Sequence, residues 1–161
     1  MYTQEDMTEV KRRLTKRWWI TAVPAVLLVA AAVAVFVAGQ LARSETLWML
    51  TAALTVAGGV YFLFFYGVYT RPMLLYARHV DYMLNGRKRE TTGVLKAFAS
   101  EVSDKEGIDC HAMLINVGER DEEEDDRLFY YDAHKPKPEM SLGTRVTVVS
   151  NDRMVAEMRV A

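Results

Sequence analysis

The chain has 161 residues, of which 51% are hydrophobic and 25% are charged, so its average composition is that of an ordinary folded protein. The formal net charge of −1 conceals a partition of charge along the chain. Residues 1–92 carry 11 Lys and Arg against six Asp and Glu, whereas residues 93–161 carry nine against 15. A single cysteine, Cys110, excludes an internal disulfide. The P-loop, dinucleotide-binding, zinc-protease and serine-hydrolase motifs are absent from the sequence, which argues against those enzyme classes.

Residues 1–17 form a basic segment that predicts a short amphipathic helix. Thr3 and Asp6 have the spacing of a helix N-terminal cap. Met7, Val10 and Leu14 recur on one helical face, which Trp18 continues, with charged residues on the others. Such a helix is expected to lie on an anionic inner leaflet, where the following cations would contact lipid headgroups: Lys11, Arg12, Arg13, Lys16 and Arg17. The alternative is a frayed basic segment that serves only as a topology signal.

Residues 18–39 predict a first transmembrane helix. No Asp, Glu, Lys or Arg occurs between residues 18 and 42, and about 20 apolar residues suffice to cross the hydrocarbon core. Pro24 is placed near the start of this helix, where a lost backbone hydrogen bond does least harm. Two alternatives are a buried soluble helix hairpin and a cleaved signal peptide with residues 12–17 as its basic region. The apolar stretch is too long for a typical signal peptide, which favours a span.

Residues 47–69 predict a second transmembrane helix, which the short loop 40–46 makes an antiparallel neighbour of the first. Ten Lys and Arg residues flank the two predicted spans on their outer sides, whereas the loop contains only Arg43. Basic flanks stay in the cytoplasm, so both termini are predicted to be cytoplasmic in a multi-pass protein of the plasma (inner) membrane. No ionisable residue lies inside the spans, which argues against a transporter or channel acting alone.

Small residues recur at four-residue spacing in both predicted spans and suggest helix packing. They are Ala30, Ala34 and Ala38 in the first span, and Thr51, Thr55 and Gly59 in the second. Small ridges let helix backbones approach closely in lipid. They are expected to form the seam of the hairpin or a contact between copies of the chain. The alternative is that alanine is simply common in membrane helices.

Residues 70–92 predict a juxtamembrane helix followed by a basic linker. Pro72 suits the first turn of a helix, and Asn85 and Gly86 read as a stop. The helix is expected either to extend the second span or to bend along the membrane surface. Arg87, Lys88 and Arg89 are placed to contact lipid phosphates, although such a patch also serves topology and solubility alone.

Residues 93–161 predict a small cytoplasmic all-β domain. Five short strands separated by turn signals are expected at residues 94–102, 108–117, 127–133, 144–150 and 154–160. This number and spacing favour a small barrel of the OB-fold type. The predicted fold is therefore a transmembrane α-helical hairpin followed by a five-stranded, OB-like β-barrel.

An acidic run and an aromatic strand are the most unusual features of the predicted β domain. Residues 118–126 contain seven acids in nine positions, which suggests a site for a cation or a basic partner. The run lacks the ligand pattern of an EF-hand, so a solvated hairpin loop is favoured and its role is left open. Phe129, Tyr130 and Tyr131 could stack on bases, but the negative charge of the domain opposes phosphate. Packing within the sheet explains these aromatics better, and no nucleic acid partner is predicted.

The cysteine and the histidines do not form a recognisable ligand set. Cys110 and His111 are neighbours on a predicted strand, so their side chains point to opposite faces, and His134 adds only one further ligand. Cys110 is expected to pack as a small hydrophobic residue. The sequence therefore predicts no catalytic residue, no metal and no cofactor.

A transmembrane hairpin followed by a small β domain resembles the layout of the NfeD-like small bacterial membrane proteins. In the β domain, the segments compared are GVLKAFASEV (93–102) and TRVTVVSNDRMVAEMRV (144–160). The resemblance implies a non-enzymatic scaffold that works with membrane proteases or lipid-domain proteins. The expected function is a membrane-anchored interaction module with a protein partner or a second copy of itself. The alternatives are an accessory subunit of a transporter or membrane-bound enzyme, and an enzyme acting on lipid headgroups or peptides. No set of acid, base and nucleophile supports the last of these.

Overall fold

The computed structural model describes residues 1–118 and 122–161 and contains helices followed by a five-stranded sheet. The helical elements are α1 (Gln4–Ala42), α2 (Glu45–Phe64), a π-helical turn (Phe65–Thr70) and α3 (Arg71–Asn85). The strands are β1 (Arg89–Lys105), β2 (Ile108–Asn116), β3 (Asp126–Asp132), β4 (Arg145–Asn151) and β5 (Met154–Val160). Two compact units result: a helical unit, Val10–Leu74, and a β unit, which combines Met1–Glu9 with Leu75–Ala161.

The helical unit contains two antiparallel helices that are long and apolar enough to cross a membrane. Their large side chains point outward: Leu27 is 63% exposed and Leu63 is 71% exposed. The core helix of a soluble protein buries such side chains, because exposing them to water is unfavourable. The predicted pair of long apolar helices is thus confirmed. The connection between them is shorter than the predicted loop 40–46, because only Arg43 and Ser44 lie between α1 and α2.

Segments that were predicted to be separate form continuous helices. The amphipathic segment 1–17 and the first span belong to one helix, α1, which begins at Gln4. The N-terminal cap is as predicted: the Thr3 amide donates to Asp6 Oδ2 at 2.8 Å, and the Asp6 amide donates to Thr3 Oγ1 at 3.2 Å. The second span continues through the π-helical turn into α3, so the option in which the juxtamembrane helix extends the span is the one observed.

Pro24 lies in the middle of α1, not near the start of a helix as predicted. Its ring nitrogen cannot donate to the carbonyl of Ile20, four residues earlier. The Tyr61 hydroxyl of α2 donates to that same carbonyl oxygen at 2.7 Å. An unpaired carbonyl is costly in an apolar environment, so the partner helix supplies the hydrogen bond that proline removes.

Two polar contacts join α1 to the π-helical turn at the same end of the helical unit. The hydroxyls of Thr21 and Thr70 are 2.8 Å apart, and both side chains are fully buried. Arg17 donates to the Tyr69 carbonyl at 2.8 Å and stacks over the Tyr69 ring, 4.8 Å from its centroid. Arg17 therefore supplies a side-chain donor to a backbone carbonyl within the π-helical turn.

The seam between α1 and α2 uses other small residues than those predicted. Ala30, Ala34 and Ala38 are exposed, as are Thr55 and Gly59, so they do not form the seam within the hairpin. Thr51 is half-buried. Ala32, Gly39 and Gly58 are buried instead, and a Cβ on Gly58 would touch the Leu28 side chain at 3.4 Å. One helical residue turns the side chain by about 100°, so Gly58 faces α1 and Gly59 does not.

The β unit contains the five predicted strands, and β5 has the predicted bounds. The main difference is β1, which begins at Arg89 and pairs first with β4, from Arg89 opposite Ser150 to Val94 opposite Arg145. It then pairs with β2 to its end at Lys105. The predicted basic linker is therefore partly strand, and the strand order is β1-β2-β3-β5-β4. The link from β3 to β5 is a single parallel pair, Tyr130 with Met154.

The core of the β unit is formed by apolar side chains from all five strands. Phe129 and Tyr131 are both buried in it, which confirms that packing accounts for these two aromatics. The core residues are Leu95, Met113, Ile115, Phe129, Tyr131, Val146, Val148 and Val155. Gly93 lies where β1 passes between β2 and β4; a Cβ there would collide with the Asn116 carbonyl.

Tyr61→Phe is expected to destabilise the helical unit by roughly 0.5–1.5 kcal/mol, because it leaves the Ile20 carbonyl without a donor. The measurement is the free energy of unfolding in mixed micelles under SDS titration. Tyr66→Phe is the matched control, since it removes the same atom from the adjoining π-helical turn. In a Pro24→Ala background the backbone N–H returns, so Tyr61→Phe should then cost clearly less. An equal cost in both backgrounds would disprove this account.

Candidate functional site

Asp132, the last residue of β3, is the centre of a buried polar cluster. Its side chain has no exposed surface. The hydroxyls of Tyr2 and Tyr76 each donate to Oδ2 at 2.9 Å. The His134 backbone amide donates to Oδ1 at 2.8 Å, and His134 Nδ1 lies 3.2 Å from the same oxygen. A buried carboxylate is stable only when its acceptor sites are filled, and this one is held from three sides.

Local structure brings these groups together. β3 ends in a turn in which the Lys135 amide donates to the Asp132 carbonyl at 3.1 Å, which turns the His134 amide back onto the carboxylate. Tyr76 and His79 are three residues apart on α3 and therefore share one face of that helix. Tyr2 precedes the cap of α1. The cluster thus joins the N-terminus, α3 and the end of β3 within the β unit.

A second layer of contacts holds the N-terminal segment against the cluster. Because Tyr2 has one hydroxyl proton and donates it to Asp132, the Nε2 of His79, 2.9 Å from that hydroxyl, must be the donor to its oxygen. Lys135 pairs with Asp6 at 2.7 Å and lies 5.1 Å from the centroid of the Tyr2 ring. The first residues of the chain are consequently fixed by charge and by aromatic packing.

Burial keeps the acidic groups around Asp132 protonated. Burial and then the negative charge of Asp132 raise the pKa of the Tyr2 hydroxyl far above its usual range, so it remains a donor. Cys110 is the β2 partner of Asp132, and burial followed by the same charge raises its pKa to about 12. A thiolate is the reactive form of cysteine, so Cys110 is an inert, fully buried side chain at neutral pH. This confirms that it packs as a small hydrophobic residue.

The arrangement has the properties of a structural lock. Over residues 1–118 and 122–161, every buried side-chain nitrogen and oxygen has a hydrogen-bond partner. Fully satisfied networks of this kind rigidify a fold and specify one arrangement of its elements. In the same described residues, no group of three or more His, Cys, Asp and Glu side chains is placed to hold a metal ion.

The predicted lipid-interface residues are mostly exposed. Lys11, Arg12, Arg13 and Lys16 are exposed on α1, whereas Arg17 is half-buried against Tyr69. Arg87 and Lys88 are exposed between α3 and β1, and Arg89 is exposed in β1. Their contact with lipid stays a prediction. On the predicted apolar face of the same N-terminal segment, Met7 and Val10 are buried, Leu14 is half-buried and Trp18 is exposed.

The acidic run 118–126 is only partly a loop. Residues 119–121 lie outside the described part of the chain. Glu123–Asp125 forms a single 3-10 turn, and Asp126 is the first residue of β3, not part of a solvated loop as predicted. The Asn116 side-chain Nδ2 donates to the Asp126 carboxylate at 2.7 Å, and Lys96 forms an ion pair with the same carboxylate at 3.2 Å. Both contacts lower the pKa of Asp126, and the hydrogen bond from Asn116 has the larger effect.

The central cluster was missed by sequence reasoning. Tyr2, Tyr76 and Asp132 are separated by 74 and 56 residues, and no motif links them. The available signal was weak: a polar residue at the end of a strand, and two ring side chains on one face of α3. No protein-family model, no curated protein and no solved structure matches this chain, so function must be argued from its own geometry.

Asp132→Asn is expected to destabilise the β unit by about 2–3 kcal/mol, because it removes the charge and turns an NH₂ group toward hydrogen-bond donors. Asp109→Asn, which neutralises an exposed acid on β2, should cost less than about 0.5 kcal/mol. Amide hydrogen exchange of β2 and β3 in the full-length protein measures both. Tyr2→Phe should produce a smaller effect of the same sign. An Asp132→Asn protein with unchanged exchange rates would refute the role of the cluster as a lock.

Proposed function

We propose that this chain is a non-enzymatic, membrane-anchored interaction module with an NfeD-like layout. The helical unit anchors the protein in the plasma (inner) membrane, and the β unit presents a binding surface in the cytoplasm to a partner protein or to another copy of the chain. The observation that carries the proposal is the outward-facing apolar surface of α1 and α2, which needs lipid around it.

The argument for a lipid environment is energetic. Side chains such as Val26, Val29 and Val60 are each at least 60% exposed in the helical unit. In water such a surface would favour aggregation, whereas in hydrocarbon it costs nothing. The Tyr61 hydroxyl on the Ile20 carbonyl and the Thr21–Thr70 pair supply the internal hydrogen bonds that a low-dielectric environment demands.

The orientation rests on the charges outside the two helices. Ten Lys and Arg flank the predicted spans on the side of the chain termini, and Arg43 alone lies in the connection. Positively charged flanks are retained in the cytoplasm, so both termini and the β unit are assigned to that side.

The strand connectivity supports an OB-like barrel. β1 pairs with β4 through its first half and with β2 through its second half, which lets one long strand serve both sides of the sheet. The single parallel pair between β3 and β5 would close the ring. Five strands in this order are the pattern of OB-folds, which are binding folds with many different ligands.

An interaction role fits the distribution of groups in the β unit. The buried polar groups around Asp132 bond to one another and so are occupied in holding the fold together. Large apolar side chains are left exposed on its surface: Val102 is 55% exposed, and Leu142 and Val160 are each 64% exposed. The buried core of a protein–protein interface is more apolar than its rim, so these three side chains are the candidates for contact with a partner.

A second candidate is an accessory subunit that recognises a partner through the helical unit itself. Two adjoining apolar cavities on the hairpin, of about 220 and 450 Å³, share Val29, Thr55 and Gly58 in their linings. The second also includes Gly59, which has no neighbour within 4 Å of a Cβ position. A groove lined by small residues suits a further transmembrane helix.

The assigned orientation predicts a specific labelling pattern. In a Cys110→Ala background, Ser44→Cys should react in intact cells with a maleimide that cannot cross the membrane. Glu139→Cys, in the β unit, should react only after the membrane is permeabilised. The reverse pattern, or labelling of both in intact cells, would contradict the placement of the β unit in the cytoplasm.

Crosslinking in native membranes followed by affinity capture of the full-length protein tests the function. A stoichiometric partner supports the interaction module, and its retention in Gly59→Leu would locate recognition outside the hairpin groove. Loss of the partner in Gly59→Leu, but not in Ala57→Leu on the other flank of Gly58, would favour the accessory subunit. Recovery of neither a partner nor self-crosslinked oligomers at native expression levels would refute both proposals.

A further inference from the structure

The β unit contains a cavity of about 470 Å³ between α3 and two turns of the sheet. Arg78 and Tyr82 line it from α3, Lys105 from the end of β1, and Arg153 from the turn between β4 and β5. A volume of this size is in the range of small-molecule sites. Every residue that lines it belongs to the β unit.

The cations of this cavity are available to a ligand. Neither Arg78 nor Arg153 has an ion-pair partner within the described residues. Lys105 has only Glu106, with 3.7 Å between Nζ and Oε1, and the Glu106 side chain is 82% exposed, so solvent weakens the pair. The other acid of the lining, Asp152, is exposed in the turn beside Arg153. Three cations thus line one cavity in a domain whose overall charge is negative.

Apolar and aromatic side chains complete the lining. Tyr82 and Tyr130 contribute rings, with Lys105 Nζ 5.6 Å from the centroid of the Tyr130 ring. The remaining apolar residues are Leu75, Met83, Ile108 and Met154. A ligand that fits this lining has both a negatively charged group and an apolar or aromatic part.

The walls are held in place by contacts between the two turns and α3. Gly107, in the turn between β1 and β2, has φ +82 and lies so near α3 that a Cβ would be 2.6 Å from Leu75 Cδ1. On the other side, the Asn151 side-chain Nδ2 donates to the Tyr82 carbonyl at 3.0 Å. Both turns are therefore anchored to α3, which makes the cavity a formed feature of the fold.

We propose that this cavity binds an anionic, phosphate-bearing ligand with an apolar part. Arg78, Lys105 and Arg153 would bind the phosphate oxygens, because guanidinium and ammonium groups are the side chains suited to phosphate. The rings of Tyr82 and Tyr130 would contact the apolar part. Two sources share this chemistry: the headgroup of an anionic phospholipid and a soluble phosphate ester. The assignment goes beyond the interaction role and does not depend on it.

The test uses the purified full-length protein in an uncharged maltoside detergent. Dioctanoyl-phosphatidylglycerol, dioctanoyl-phosphatidylcholine and glycerol 3-phosphate are titrated, and dissociation constants are read by thermophoresis. Lys105→Gln and Arg153→Gln should each weaken binding of the anionic probe by at least about tenfold, since each removes a charge-assisted hydrogen bond. Arg145→Gln, an exposed β4 cation outside the cavity, is the matched control and should change binding by less than about twofold. Lys105→Arg keeps the charge and should retain most of the affinity.

The outcomes separate the two sources. Saturable binding of phosphatidylglycerol without binding of glycerol 3-phosphate identifies the ligand as a lipid headgroup. Saturable binding of glycerol 3-phosphate identifies it as a soluble phosphate ester, and either result supports the site. Equal binding of phosphatidylcholine, an equal loss in Arg145→Gln, or no saturable binding of any probe would overturn it. Thermal unfolding of each variant shows whether a loss of binding reflects loss of the folded state. If a variant is unfolded, the comparison of Lys105→Arg with Lys105→Gln shows whether binding depends on the positive charge.

Discussion

The buried carboxylate of Asp132 is the interaction on which the β unit depends. A charge without solvent must be surrounded by donors, and the donors here come from the N-terminus, from α3 and from the turn after β3. The requirement to satisfy one acid therefore brings together parts of the chain that are more than 120 residues apart. It also explains why Met1–Glu9 belongs to the same compact unit as the sheet.

The helical unit obeys the same rule with backbone groups in place of a side-chain charge. Pro24 leaves the Ile20 carbonyl without its helical donor, and the Tyr61 hydroxyl donates to it instead. In the π-helical turn, the Tyr69 carbonyl accepts from Arg17, and the Thr70 hydroxyl is hydrogen-bonded to Thr21. These contacts are few, and the rest of the seam is made by apolar and small residues. Lipid tails offer no hydrogen bonds, so they cannot replace the polar contacts. They are as apolar as the helix side chains, so the rest of the seam depends on the close approach that small residues allow.

Charge acts at two scales in this protein. The summed charges divide the chain into a basic first part and an acidic second part. This division bears on the orientation of the chain in a membrane and on the class of partner it would bind. The fold then redistributes these charges locally, so that Arg78, Lys105 and Arg153 line one cavity and Asp126 is neutralised by Lys96. A ligand meets the local distribution, and net charge alone is a poor guide to what a site binds.

The sequence by itself determined the elements whose signal is local. Two charge-free apolar runs specified the helices, and short apolar segments separated by turn residues specified five strands. The bounds of β5 were predicted to the exact residue. The tertiary structure decided which faces meet. Gly58 rather than Gly59 lies in the helix seam because helix phase depends on the partner, and Tyr2, Tyr76 and Asp132 meet because the fold closes over distances that no periodicity records. Local patterns report how a segment is exposed; they contain no information on which distant group will satisfy a buried charge.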